Sequence, residues 1–243
     1  MYKLNSLTGL NVLAIGAHPD DIELLCSGTL AKYSELGNKI FMYHTCNGDK
    51  GGFNKTSEFI RAERDIEAKN AAKIIGAESF GGIFEDGDVF IDDKSRKEIV
   101  EVIRKTKADV IITHHPNDYH TDHINTSKLV IEANYMSTIQ NYVTDSLYLK
   151  KVPSVYYMET LGGINFIPEI YVDISQTMQI KKEMISAHKS QVVFLKEHSS
   201  LDIIDWIDIC GRYRGYQCGT IYAECFTQRI DWPIGKSGCL LPI

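Results

Sequence analysis

The sequence predicts an α/β fold: one domain with a mostly parallel sheet flanked by helices. Two observations carry this. Short apolar runs bounded by turn residues alternate with longer segments of helical periodicity, the pattern of βαβ units with right-handed crossovers. No Pro- or Ser-rich linker divides the 243 residues and no repeat is visible, so 1–243 reads as a single domain able to bury a substantial core.

The elements follow in order. Asn11–Ala17 (NVLAIGA) suits a buried parallel strand. Ile22, Leu25, Cys26, Thr29, Leu30 and Tyr33 then recur at helical spacing, and Gly37 ends that helix. Lys39–Thr45 (KIFMYHT) is a second strand and Asn47–Gly52 (NGDKGG) a turn-rich loop. Ser57–Ile75 is a helix with Phe59, Ala62, Ile66 and Ile74 on one face, interrupted by Asn70 and stopped by Gly76. Glu78–Phe84 reads as a third strand, Glu85–Asp88 as a turn, Ser95–Lys105 as an amphipathic helix carrying Ile99, Val102 and Ile103, and Asp109–Thr113 as the next strand. Beyond it, Ile124–Met136, Gln176–His188 and Leu201–Tyr213 read as helices, and Ser154–Thr160, Ile170–Val172 and Ile221–Phe226 as strands.

Composition excludes several classes. A hydrophobic fraction of 44% and a charged fraction of 24% rule out wholesale disorder and collagen-like repeats. A net charge of −6 argues against a nucleic-acid partner, which needs clustered Lys and Arg. The first apolar run leads straight into His and Asp, as a core strand does and a signal peptide does not, and no run is long enough to predict a membrane span. The six Cys form no CxxC pair and read as reduced thiols of a cytoplasmic protein, with no cysteine-bound structural zinc. Apolar and aromatic residues in the later half leave room for a homo-oligomer interface.

The informative oddity is His beside Asp. His18-Pro19-Asp20-Asp21 directly follows the first strand, and ligands of open α/β sheets bind outside the carboxyl ends of strands. Pro19 fits a first helical turn, and Asp20 and Asp21 would gain from the positive helix terminus. A capping aspartate would explain one carboxylate, but not the preceding His and a second carboxylate. The second cluster, His114-His115-Pro116-Asn117-Asp118-Tyr119-His120-Thr121-Asp122-His123, follows the Asp109–Thr113 strand. One helical turn there would place His120 and His123 on the same side. A hydrogen-bonded polar loop explains either cluster alone less well than convergence explains both. Mixed His and Asp suit zinc, with Fe(II), Mn(II) and Co(II) as alternatives. Three protein ligands would leave surplus groups for acid–base work.

At this point the residues resemble a known family. His18-Pro19-Asp20-Asp21 with Glu23 and Gly28-Thr29-Leu30-Ala31 resembles the opening motif of the PIG-L/LmbE-like zinc-dependent N-deacetylases. His120-x-Asp122-His123, preceded by Pro116 and Asp118, resembles their second motif. Weaker matches are Thr45-x-x-Gly48, Arg64-x-x-Glu67, His188-x-Ser190-Gln191 and Tyr222-Ala223-Glu224-x-Phe226. The resemblance implies a Rossmann-like fold and hydrolysis of an N-acetyl group from an amino sugar, such as an N-acetylglucosamine derivative or glycoconjugate. By motif position it implies His18, Asp21 and His123 as zinc ligands and Asp20 as the base that deprotonates the activated water. It further implies His120 as oxyanion stabiliser and acid for the departing amine, and Asp122 as the group that orients His120.

Arg64, Asp118, Tyr119 and His188 are substrate-binding candidates, although Arg64 and Glu67 could form only a helix ion pair. His114 and His115 read as pocket-shaping or structural, His44 as a satisfied core histidine and His198 as solvated loop. The RYRGY segment around Arg212, Tyr213 and Arg214 reads as a sugar contact or as plain surface. Three other functions compete: a related amidase acting on a sugar–thiol conjugate or another amide, a nucleotide-binding protein, and a non-catalytic metal-binding protein. GAHPDD stands where a dinucleotide cradle needs GxGxxG.

Overall fold

A computed structural model describes residues 7–231 and 240–242. In it the strands β1 (Asn11–Gly16), β2 (Lys39–Cys46), β3 (Glu78–Phe84), β4 (Val110–Thr113), β5 (Ser154–Met158), β6 (Ile170–Asp173) and β7 (Ala223–Gln228) form one sheet. Their order is β3-β2-β1-β4-β5-β7-β6. The first five neighbours pair in parallel, and only β7 runs against β5 and β6. The helices are α1 (Asp21–Glu35), α2 (Ser57–Ile74), α3 (Asp93–Thr106), α4 (Thr121–Met136), α5 (Met178–Ala187), α6 (Lys189–Ser199) and α7 (Ile203–Cys218).

β1 shows why the short apolar run becomes a central strand. Val12 and Ala14 pack into a core shared with α1 and α5, while Leu13 and Ile15 pack into a second core shared with α3 and α4. A strand covered on both faces has no polar side to alternate with. The chain builds β1, β2 and β3 outward in one direction, then returns to place β4 on the other side of β1. The loops leaving β1 and β4 therefore diverge from adjacent strand ends and open a crevice at the switch point.

Three expectations need correction. The inner face of α2 carries Ile60, Arg64, Glu67, Ala68, Ala71 and Ala72; Phe59 and Ile66 lie outward, at 53% and 58% exposure. The helix packs close through its alanines and uses Arg64 and Glu67 to fasten polar loops, so its large apolar residues do not mark the buried side. Lys189–Ser199 forms the helix α6, to which the sequence pattern assigns no element, because it buries only Gln191 and so lacks a strong periodic stripe. His198 consequently stands in a last helical turn, against Phe194 and Phe53. Among the described residues the cysteines Cys26, Cys46, Cys210, Cys218 and Cys225 are free, and no helix is long and apolar enough to cross a membrane. Cys239 lies outside the described residues.

Candidate active site

Between β1 and α1 the backbone turns sharply. Asp20 takes the N-cap position at φ 141° and ψ −24°, a region costly for any residue with a side chain. Its carboxylate makes no capping bond. Instead Oδ1 accepts from Arg64 Nη2 at 3.2 Å, and the same Nη2 donates to the Pro19 carbonyl at 2.6 Å. The adjacent Asp21 Oδ2 accepts from the His18 N–H at 2.6 Å. That oxygen lies 3.3 Å from each of His18 Nδ1, His114 Nε2 and His123 Nε2. Helix capping thus describes neither carboxylate.

The loop after β4 delivers the rest. His120 is the N-cap of α4, its Nδ1 accepting from the Asp122 N–H at 3.2 Å. His123 sits one turn on, its ring 4.8 Å from that of His120 and stacked at 3.9 Å on His114. The ligating atoms of His18, Asp21 and His123 lie within 4.8 Å of one another. Two imidazoles and a carboxylate, two of the three buried, fit a divalent ion of the zinc type. The far nitrogens support that fit. His18 Nε2 is 3.1 Å from Asp122 Oδ2, and His123 Nδ1 is 3.1 Å from Asp118 Oδ2. Such outer carboxylates orient metal-binding imidazoles and raise their basicity. Asp118→Asn should therefore weaken zinc binding by about 10- to 100-fold in a chelator competition; an unchanged affinity would deny Asp118 this part.

Electrostatics separate the groups. Burial pushes the Asp20 carboxyl up, against the pull of Arg64. Burial opposes charge on His123, but Asp21 and Asp118 outweigh it and carry the imidazole to about 9. Burial and the neighbouring His123 push His114 down to about 4. His120 is also lowered, by burial and by the nearby His123 and His18, which favours a neutral ring. Since its Nδ1 accepts a backbone N–H, that neutral ring carries its proton on Nε2.

Asp122 departs from the expected geometry. Its Oδ2 faces His18, accepts from the Gly87 N–H at 2.7 Å and lies 3.8 Å from Cys46 Sγ. Its hydrogen bond with His120 runs through its own backbone N–H, which donates to His120 Nδ1. Arg64 is buried and pairs with Asp20, not with Glu67. Glu67 instead accepts from Ser190 N and Oγ, at 2.8 and 2.6 Å. Asp118 is turned inward to His123, whereas Tyr119 is 59% exposed at the rim. His188 is buried beneath the site, its Nε2 3.0 Å from Glu23. His44 is buried too, but its Nε2 has no hydrogen-bond partner, so it is core without being satisfied. His115 packs edge-on against Tyr157 and Phe166. In RYRGY, Arg212 pairs with Asp208 and Arg214 is held by Glu159, leaving Tyr213 exposed.

The weak motifs are fastenings. Gly48 turns at φ 78°, where a Cβ would stand 2.7 Å from the Arg64 side chain. Gln191 Nε2 donates to the Gly51 carbonyl at 2.8 Å, and Glu224 accepts from Gly28 N and Thr29 N at 3.0 and 2.7 Å. Cys46, Asp86 and Gly87 border the site without a signal in the sequence; each comes from an element that contributes no cluster of its own.

The fold and this nest define a class: an α/β protein with a His/Asp metal-type centre at the switch point of its sheet. The chain belongs to the PIG-L family, described as GlcNAc-PI de-N-acetylase, whose model matches residues 13–134. It is 27% identical over 190 residues to the diacetylchitobiose deacetylase of Thermococcus kodakarensis, covering 74% of this chain and 69% of that protein. It is 31% identical over 153 residues to the uncharacterized deacetylase YaiS of Escherichia coli, covering 60% of this chain and 80% of that one. Among solved structures, the N,N'-diacetylchitobiose deacetylase of Pyrococcus horikoshii superposes with a TM-score of 0.78 at 23% identity, covering 90% of this chain and 83% of that one. GalB, the 4-carboxy-2-hydroxymuconate hydratase of Pseudomonas putida KT2440, gives 0.79 at 21% identity, covering 92% and 99%. A hydratase and a deacetylase on one architecture show that the likeness fixes the fold and not the reaction.

Proposed function

We propose that this protein is a zinc-dependent N-deacetylase of the cytoplasm, acting on an N-acetylated amino sugar or glycoconjugate. The observation that carries the reading is the division of labour in the crevice. His18, Asp21 and His123 converge as one ligand set, and around it stand Asp20, held by Arg64, and His120, whose ligand atom also lies close to those of His18 and Asp122. A buried carboxylate held by an arginine beside the ligand set suits acid–base work. The relatives named deacetylases support the reaction class.

His18, Asp21 and His123 would hold the ion, with iron, manganese or cobalt as alternatives to zinc. When bound, such an ion supplies Lewis acidity, easing deprotonation of water and drawing charge from the acyl oxygen. Asp20 takes the proton of the attacking water; its raised carboxyl suits a base working near neutral pH. The Arg64 contact and the fixed backbone hold that carboxylate to one position. His120 presents its Nε2–H to the acyl oxygen as that atom gains charge. The departing amine takes its proton from His120 or from the Asp20 carboxyl that received it. Tyr119 at the rim is placed to meet the sugar.

The test is release of acetate and a primary amine from N-acetylglucosamine, its glycosides, a nucleotide sugar and diacetylchitobiose, with chelator-treated and zinc-reloaded protein. Zinc-dependent release from at least one member is expected. No release from any of them by zinc-, iron- or cobalt-loaded protein would overturn the proposal.

A further inference from the structure

Beside the first nest the structure assembles a second set of donors. The Nε2 of His18, on the ring edge away from Asp21, faces Asp122 Oδ2 at 3.1 Å. Cys46 Sγ lies 3.8 Å from that same oxygen. Ligand atoms of His18, Cys46 and Asp86 all lie within 4.8 Å of one another. In a tetrahedral zinc site, bond lengths of about 2.3 Å to sulfur and 2.0–2.1 Å to nitrogen or oxygen put neighbouring ligand atoms roughly 3.4–3.6 Å apart. The observed 3.1 and 3.8 Å bracket that range. The four groups come from four segments: the β1–α1 turn, the end of β2, the turn after β3 and the first turn of α4. The second oxygen of Asp122, Oδ1, is buried with no hydrogen-bond partner, so the carboxylate is incompletely served by the protein. A cleft of about 410 Å³ between α2 and the β2–β3 edge is bordered by Cys46 and Pro19.

We infer that His18, Cys46 and Asp86, with Asp122 beside the first two, form a second cation site, selective for thiophilic divalent ions and antagonistic to the first. The selectivity comes from the sulfur, because thiolate ligands favour zinc and softer ions over magnesium or calcium. Uptake forms a metal–sulfur bond and releases the Cys46 thiol proton to solvent. The antagonism comes from His18. A neutral imidazole has one lone pair to give, so His18 serves one nest or the other. An ion on Cys46 therefore takes a ligand away from the first site. The donor geometry stands independently of the deacetylase proposal; only the inhibitory consequence rests on it.

The test uses the full chain and cadmium as the probe. Added to metal-depleted protein, cadmium should give the ultraviolet thiolate-to-metal absorption band. Cys46→Ser should lose most of that band, and Cys218→Ser, which removes an exposed thiol, should keep it. Zinc-loaded wild type should be inhibited by cadmium and by excess zinc. C46S should keep its basal turnover and need about tenfold more of either ion for half-inhibition. Cadmium X-ray absorption on the wild type, which needs no variant, should show one sulfur with nitrogen and oxygen neighbours. A band of equal strength in C46S, a first shell without sulfur, or equal inhibition of both proteins would overturn the inference. The band and the X-ray shell report on the site even if no deacetylation is found.

Discussion

Asp21→Asn and His123→Ala should each lose metal and turnover together. Asp21 Oδ2 stands 3.3 Å from three imidazoles, and His123 is fixed from both sides by Asp21 and Asp118, while the neighbouring His114 has its Nε2 lone pair taken by the Ala17 N–H at 2.9 Å. A catalytic ion stabilises transition-state charge by several kcal/mol. At about 1.4 kcal/mol per decade, its loss costs about 10³-fold or more in kcat. Metal analysis after gel filtration and acetate release measure the two losses side by side. Asparagine keeps the Asp21 shape and can still accept the His18 N–H, so a normal circular dichroism spectrum is expected. Stoichiometric zinc in either variant, at wild-type affinity, would remove these residues from the ligand set.

Asp20→Asn should separate what the first pair of variants loses together. The amide cannot take a proton from water, but it fits the same backbone and can accept from Arg64. Zinc content should stay at the wild-type level while kcat falls by about 10²- to 10⁴-fold, the usual worth of a positioned base. Asp20 is the neighbour of the proposed ligand Asp21 in sequence, yet its side chain pairs with Arg64, which itself donates to the Gly48 carbonyl. If D20N lost its metal, the carboxylate would be a ligand and the base would have to be found elsewhere. If it turned over at the wild-type rate, Asp20 would have no part in the proton transfer.

Much of this geometry was legible in the chain. The run NVLAIGA is apolar at every position but Asn11 and Gly16, which suits a strand covered on both faces, and β1 is that strand. His18, Asp20, Asp21, His120 and His123 stand out because charged and imidazole groups crowd a short span directly after an apolar run. The alternation of strands and helices predicts a sheet, and clusters after two of its strands predict convergence. The face of α2 was not legible, since Phe59 and Ile66 satisfy the hydrophobic pattern yet point to solvent. Helix α6 was hidden for the opposite reason: it packs too little to be amphipathic.

Sequence alone determined which residue types could perform the chemistry, because the donors and the acid–base groups are consecutive or one helical turn apart. Partnership across the sheet was decided only by the tertiary structure. The strand order places β1 beside β4, and that adjacency brings Asp122 to His18 over 104 positions of chain. On the other side of β1, the β1–β2–β3 pairing brings Cys46 and Asp86 to the edge of the nest, and the packing of α2 brings Arg64 to Asp20 and Glu67 to Ser190. Hydrogen bonds and coordination act over about 3 Å, and spacing along a sequence carries no information at that scale once the chain has left its own helix or turn. Asp122 illustrates this: its place in the motif ties it to His120, while the helix cap and the Gly87 N–H direct its carboxylate to His18.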